Sequence, residues 1–217
     1  MKRLLIKVCG MREPDNIRRV EALRPDYMGF ICWTGSRRNV TGRPDYLPAA
    51  CRRTGVFIDP SPTEVAERVE QLGLDAVQLH GHETPEFCRA VKQICGRDGQ
   101  AVELVKAFSI APDAPFPVTA DYETACDYFL FDTSCPTAGG SGRTFDWDVL
   151  TAYDGRRPFF LSGGIGPDSM EALRHFDHPR WAGVDLNSRF EISPALKDAE
   201  ALSRFIKALK EQTDGKQ

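Results

Sequence analysis

Short apolar runs rich in β-branched and aromatic residues recur eight times along the sequence: LLIKVC (4–9), YMGFIC (27–32), GVFI (55–58), AVQLH (76–80), ELVKAFS (103–109), YFLFD (128–132), PFFLS (158–162) and WAGVDL (181–186). They are nearly continuous rather than strictly alternating, which is the pattern of strands covered on both faces. Helical patterns lie between them. In SPTEVAERVEQLG, Val65, Val69 and Leu72 repeat at i, i+4 and i+7 behind a Ser61 cap and a first-turn proline, and Gly73 ends the segment. Ile17, Val20 and Leu23 make another stripe, as do Phe87, Val91 and Ile94, and Leu202, Phe205, Ile206 and Leu209. RPDYLPAACRR and TADYETACDY are the weakest helical segments, short and interrupted by proline or aspartate.

Strands alternating with helices imply a parallel α/β architecture, either an open doubly wound sheet or a closed barrel. Eight units in 217 residues, with no GxGxxG after the first strand, favour a single (β/α)8 TIM barrel of the phosphate-binding type. No linker or charge block divides the chain. The expected organisation is one catalytic domain over 1–212 with a frayed tail over 213–217.

Charge and cysteine usage exclude several classes. With a net charge of −3 and a pI near 5.9, no general field attracts nucleic acid or an anionic membrane, so an anionic ligand needs a local site. No apolar run approaches the roughly 20 residues of a membrane span. The opening MKRLLIKVCGMRE reads as a first strand, since its apolar stretch is too short for a signal peptide. Seven cysteines, an odd number without a C-x-x-C, argue against a disulfide framework or zinc site and suit a reducing cytoplasm. His80 and His82 in LHGHE could pair on a metal, but no second ligand cluster supports them, so no metal is expected.

In such barrels the chemistry collects at the C-terminal strand ends. Cys9, His80, Asp132 and Asp185 all fall there. Taken alone, Cys9 reads first as a small buried hydrophobe. Asp132, behind four apolar residues, needs partners or a task, and capping and catalysis are equal readings. Three loops add to this: TAGGSGRTF after the sixth strand, LSGGIGPDSMEAL after the seventh and DLNSRFE after the eighth. Gly139, Gly140 and Gly142 would let backbone N–H groups converge on an anion. Ser162, Gly163 and Gly164 precede a helix that would aim its positive end at the same place, with Asn187 and Ser188 beside it. GGSGRT lacks the Lys-Ser/Thr ending of a P-loop.

Together, KVCG, GFIC…SRRNV, GVFID, VQLHG, FDT…GGSGRTFDW, LSGGI and GVDLNS-FE resemble the phosphoribosylanthranilate isomerases of tryptophan biosynthesis, in the family's order and over essentially the whole chain. The resemblance implies an Amadori rearrangement of N-(5′-phosphoribosyl)anthranilate to its 1-deoxyribulose isomer, without cofactor. It implies that Cys9 is the general base, Asp132 the general acid and Arg38 the partner of the anthranilate carboxylate. The implied partner is a phosphosugar, with no nucleic acid and no membrane, bound by a monomer or homodimer. Protonating the furanose ring oxygen opens the sugar to an iminium, which acidifies the C2′ proton for a thiolate to remove.

The required protonation state is uncommon at ordinary pKa values of about 8.5 for Cys and 3.9 for Asp. At pH 7 roughly 3% of such thiols are ionised and about 0.1% of such carboxyls protonated, together about one molecule in forty thousand. Reversing that order costs about 6 kcal/mol. A buried Asp132 with a raised pKa is therefore expected, beside a Cys9 thiolate stabilised by Lys7 or by the substrate iminium.

Several positions depart from the family's pattern. Its S-S-G-V-E appears as Asn187-Ser188-Arg189-Phe190-Glu191, its P-G-x-K-D as PALKD with Ala195 for the glycine, and His82 replaces an acidic residue. Lys197 is expected only to brace a turn. Three alternatives remain: a bifunctional histidine/tryptophan isomerase, which carries Asp at the Cys9 position; a non-catalytic phosphosugar-binding barrel; and a redox sensor pairing Cys9 with Cys135.

Overall fold

The computed structural model describes residues 3–97, 100–111, 114–132 and 147–214. The eight apolar runs form β1 (Leu5–Val8), β2 (Tyr27–Ile31), β3 (Arg52–Phe57), β4 (Ala76–Leu79), β5 (Glu103–Ser109), β6 (Tyr128–Asp132), β7 (Phe159–Ser162) and β8 (Trp181–Leu186). Each pairs in parallel with the next, and β8 returns to β1, so the barrel is closed. Closure leaves no unpaired edge, which suits strands that are apolar on both faces.

Side chains alternate between the interior and the surrounding layer. Tyr27, Ala76, Val105, Ala107, Leu130 and Phe160 fill the interior, with Leu5 and Tyr128 packed against them. Tyr27 and Phe160 meet edge to face at 5.6 Å. The opposite parity, including Ile6, Val8, Phe30, Val77, Leu79, Phe129, Phe131 and Val184, joins the larger core under the helices. This parity decides which strand-end residues face the barrel mouth. Counting on by twos from the interior set reaches His80, Asp132 and Ser162, and from Leu5 through Lys7 it reaches Cys9.

The outer layer contains α1 (Pro14–Glu21), α2 (Pro62–Leu72), α3 (Pro85–Ile94), α4 (Met170–His175) and α5 (Ala199–Asp214). α2 has the expected Ser61 cap, which the structure extends to a capping box with Ser61 and Glu64 each bonding the other's backbone, and ends on Gly73 at φ 58°. The two weak segments do not become α-helices. Around Pro44 and Pro48 the chain runs irregularly, and the α1 carboxylate of Glu21 accepts the Ala49 and Ala50 N–H groups at 2.7 Å each. Prolines deny a helix its donors, so a side chain of a neighbouring element satisfies the backbone there instead. The segment TADYETACDY contributes only a 3-10 turn, Ala120–Tyr122. A second 3-10 stretch, Trp147–Ala152, follows β6. α5 continues through Asp214, two residues into the stretch expected to fray.

Among the described residues, ion pairs buried near the rim include two that tie strands and loops together. Lys7 Nζ lies 2.9 Å from Asp185 Oδ1 across the β1–β8 seam, the side chains 1% and 6% exposed. Lys106 Nζ lies 3.0 Å from Glu83 Oε2, at 3% and 2%. Removing one partner of such a pair strands the other charge in the core. We expect Asp185→Ala to lower unfolding stability by about 3–5 kcal/mol. The double variant K7M/D185L should recover much of that loss, as read from urea midpoints at unchanged slope. Equal stability of wild type and Asp185→Ala would show that the pair does not hold the seam.

Candidate active site

β1 ends at Val8, yet the Cys9 N–H donates to Leu186 O at 2.9 Å, which carries the strand's alignment one residue further. Cys9 is 3% exposed. Gly10 then turns the chain off the rim with φ +76°. Gly29 of β2 makes the space for the thiol, since a Cβ there would sit 2.7 Å from Cys9 Sγ. Burial pushes the Cys9 thiol above its ordinary value; Lys7 pulls it back, Asp185 adds to the rise, and Lys197 also pulls it back. The expected Lys7 partner is therefore in place, but burial outweighs it. Lys7 favours the thiolate as expected, while burial works against it.

Asp132 closes β6 with a side chain 19% exposed, half-buried rather than fully enclosed. His80, just past β4, places Nε2 3.3 Å from Asp132 Oδ2. Gln78 Nε2 lies 3.2 Å from His80 Nδ1, so an amide donating there leaves the ring proton on Nε2, facing Asp132. The loop carrying His80 is held from below by Glu83. Its carboxylate accepts the Gly81 N–H at 3.0 Å and the Asp59 N–H at 2.9 Å, and Lys106 balances its charge. His82 faces away, 96% exposed with Nδ1 3.1 Å from Asp59 Oδ2, so the two histidines share no ligand geometry. Among the described residues, no three His, Cys, Asp or Glu side chains gather so as to hold a metal ion.

Arg38 reaches the mouth from the loop after β2, which a bridge between Ile31 and Asn39 ties to that strand. A Cβ on Gly10 would lie 2.8 Å from Arg38 Cδ and 2.8 Å from Asn187 Oδ1, so both side chains stand over the turn beside Cys9. Arg38 is gripped by Glu191, Nε to Oε1 at 2.9 Å and Nη2 to Oε2 at 2.6 Å. Glu191 sits opposite Lys197 in a short antiparallel hairpin, Glu191–Ser193 with Leu196–Lys197. Lys197 Nζ donates to Glu191 Oε1 at 2.5 Å and to Asn187 Oδ1 at 2.7 Å. Ala195, at φ 69°, takes the left-handed turn in this hairpin, and its N–H also reaches Glu191.

After β7, Gly163 and Gly164 follow Ser162 with φ of 90° and 67°, a conformation in which successive backbone N–H groups can converge on an anion. The expected helix beyond does not start at once: the 3-10 turn Pro167–Ser169 precedes α4. Ser188 starts a 3-10 turn, Ser188–Phe190. Arg189 spans the two loops, with Nη2 2.8 Å from Asp168 Oδ2. Gly139, Gly140 and Gly142, together with Cys135, lie outside the described residues. Asp185, expected among the substrate-binding residues, is 7% exposed and committed to Lys7.

Cys9, Arg38, His80, Asp132, Ser162, Gly163, Gly164, Asn187 and Ser188 thus come to the same end of the barrel. Glu191 and Asp168 were not singled out from sequence, and Lys197 was expected only to brace a turn. One signal was available: Lys7 in LLIKVC and Gln78 in AVQLH are polar residues inside apolar runs, and a buried polar group needs a partner. The arrangement sets a carboxylic acid and a thiol on one rim, with a guanidinium and glycine turns beside them.

A family model described as N-(5'phosphoribosyl)anthranilate (PRA) isomerase matches residues 6–208. A relative from Phocaeicola vulgatus named N-(5'-phosphoribosyl)anthranilate isomerase is 49% identical over 209 residues, 96% of this chain and 99% of its own. A solved phosphoribosyl anthranilate isomerase, in complex with reduced 1-(o-carboxyphenylamino)-1-deoxyribulose 5-phosphate, is 27% identical with a TM-score of 0.73, covering 96% of this chain and 99% of that one. A structure of monomers generated from the dimeric phosphoribosylanthranilate isomerase of Thermotoga maritima is 26% identical with a TM-score of 0.74, covering 98% and 100%.

The raised Cys9 pKa has a direct consequence. In the protein by itself Cys9 stays protonated through neutral pH, so iodoacetamide labelling of its peptide, read by mass spectrometry, should be slow at pH 7–8. It should accelerate only above the ordinary thiol range of about 8.5. Rapid labelling at pH 7 would show that the lysines outweigh burial.

Proposed function

This chain belongs to the N-(5'-phosphoribosyl)anthranilate isomerase family, and on that premise we propose that Cys9 and Asp132 carry out its isomerisation as base and acid. The reaction converts N-(5'-phosphoribosyl)anthranilate to 1-(2-carboxyphenylamino)-1-deoxyribulose 5-phosphate, a step of tryptophan biosynthesis. The observation that carries the residue assignment is the shared interior parity at one rim, which supports Cys9 and Asp132 facing one substrate from β1 and β6.

Asp132 gives its proton to the ring oxygen as the C1′–O bond breaks, leaving an iminium and a carboxylate. His80 Nε2–H, 3.3 Å away, stabilises the carboxylate that results. Cys9 then takes the C2′ proton, and its electron pair flows to the substrate nitrogen. The resulting enol tautomerises to the ketone, so the atoms balance with no oxidant or reductant. Because burial holds Cys9 as a thiol in the protein alone, it must first lose that proton: the cationic substrate favours the thiolate, and the released proton passes to solvent or to the carboxylate left on Asp132. Arg38 meets the anthranilate carboxylate. Ser162, Gly163, Gly164, Asn187 and Ser188 receive the phosphate with Gly139, Gly140 and Gly142. Asp185 acts from beneath, holding Lys7 beside Cys9.

Residues 1–212 form the catalytic domain, and six free cysteines among the described residues suit the cytoplasm. Among the described residues no helix is long and apolar enough to cross a membrane. The working assembly is a monomer or a homodimer, the latter as in the Thermotoga relative.

A fluorescence assay following loss of phosphoribosylanthranilate tests the reading. The wild type should turn over, while Cys9→Ser and Asp132→Asn should each lose about 10²–10⁴-fold in kcat and still bind the reduced product analogue. Undiminished turnover in either variant would remove that residue from the chemistry. Binding without turnover in the wild type would favour the non-catalytic barrel.

A further inference from the structure

The Arg38 grip contains more than a carboxylate receptor needs. Glu191 occupies the Nε and Nη2 side of the guanidinium, at 2.9, 3.0 and 2.6 Å, and its own side chain is 4% exposed. Among the described residues Nη1 has no hydrogen-bond partner, and Arg38 keeps 23% of its side chain accessible at the mouth. A planar guanidinium has two forked edges, so one is held inward and the other is turned out. Alone, however, this pair would be neutral, and a second carboxylate arriving in a poorly solvated site would bring an unmatched negative charge.

Lys197 changes that balance. Its side chain is fully enclosed, and its ammonium bonds Glu191 Oε1 and Asn187 Oδ1. The backbone beneath it is clamped by buried Asn16 of α1, which accepts the Lys197 N–H at 2.8 Å and donates to Lys197 O at 2.8 Å. Burial pushes the Lys197 pKa down and Glu191 holds it up; with Lys197 charged, one carboxylate lies between two cations and the cluster keeps one positive charge for a ligand. Burial favours protonated Glu191, but Arg38 and Lys197 overcome it, so the carboxyl stays ionised.

We propose that Glu191 and Lys197 are positioning residues for substrate recognition: Glu191 turns the open edge of Arg38 toward the substrate's aromatic carboxylate, and Lys197 supplies the charge that lets two carboxylates share the site. This deepens, and rests on, the reading of Arg38 as the anthranilate anchor.

The test compares two ligands, the reduced product analogue 1-(2-carboxyphenylamino)-1-deoxyribulose 5-phosphate and the same compound without the ring carboxylate, by calorimetry. The ratio of their affinities isolates the carboxylate's contribution. Lys197→Met and Glu191→Gln should each shrink that ratio by about tenfold or more, with affinity for the carboxylate-free compound changed less than about threefold. Lys197→Arg should restore part of the ratio. Equal losses for both ligands, or an unchanged ratio, would overturn the proposal and leave the pair as a brace of the hairpin. Loss of the fold in both variants would do the same. Arg38→Ala separates the two layers: if it leaves the ratio intact, the Arg38 reading itself fails, whereas loss in Arg38→Ala alone refutes only the roles of Glu191 and Lys197.

Discussion

The barrel depends on its closure between first and last strands, and at that seam Lys7 and Asp185 stand side by side. Backbone bonds align Leu5–Val8 with Gly183–Leu186, and the ion pair at 2.9 Å locks the register where the strands approach the mouth. A slip of one residue would send every interior side chain to the other face. Cys9 would then enter the packed layer under the helices and leave the mouth. The seam therefore fixes the fold and the rim together, because the same parity that points Lys7 inward points Cys9 at the barrel mouth.

Electrostatic matching accounts for the rest of the rim. Each charged group there that the described residues enclose has a counter-charge: Lys7 with Asp185, Lys106 with Glu83, and Lys197 and Arg38 around Glu191. Such pairs contribute little net stability but are expensive to break, which suits a role in fixing geometry. The thiol is the exception. Burial favours the neutral Cys9 thiol in the protein alone, and in the proposed mechanism an iminium formed beside it would reverse that preference when a base is required. On that proposal, protonation would be coupled to substrate ring opening.

The fold was largely legible in the sequence because strands covered on both faces make conspicuous apolar runs. β5, β6 and β8 match the expected runs residue for residue, and the others shift by one to three residues at their ends. The helical layer was less legible. Around Pro44, Pro48 and Ala120–Tyr122, caps and turns from neighbouring elements replaced helix hydrogen bonds, and a local pattern carries no record of which neighbour arrives. In the site, Cys9 and Asp132 stood out by their strand-end positions, while their roles, and Arg38 altogether, came through a resemblance. Arg189 was ambiguous in sequence until its partner Asp168, on a different loop, came within reach.

By itself the sequence determined the number of strands, their order, and the residue types available at each strand end. These follow from local apolar periodicity, turn residues and a whole-chain motif order, all of which are linear properties. Only the tertiary structure decided that burial outweighs Lys7 at Cys9, that Asp185 is committed to Lys7, and that Glu191 grips Arg38 from a hairpin 153 positions away. Desolvation and charge pairing depend on what surrounds a group in space. A chain that closes its last strand on its first brings together residues that no sequence window contains.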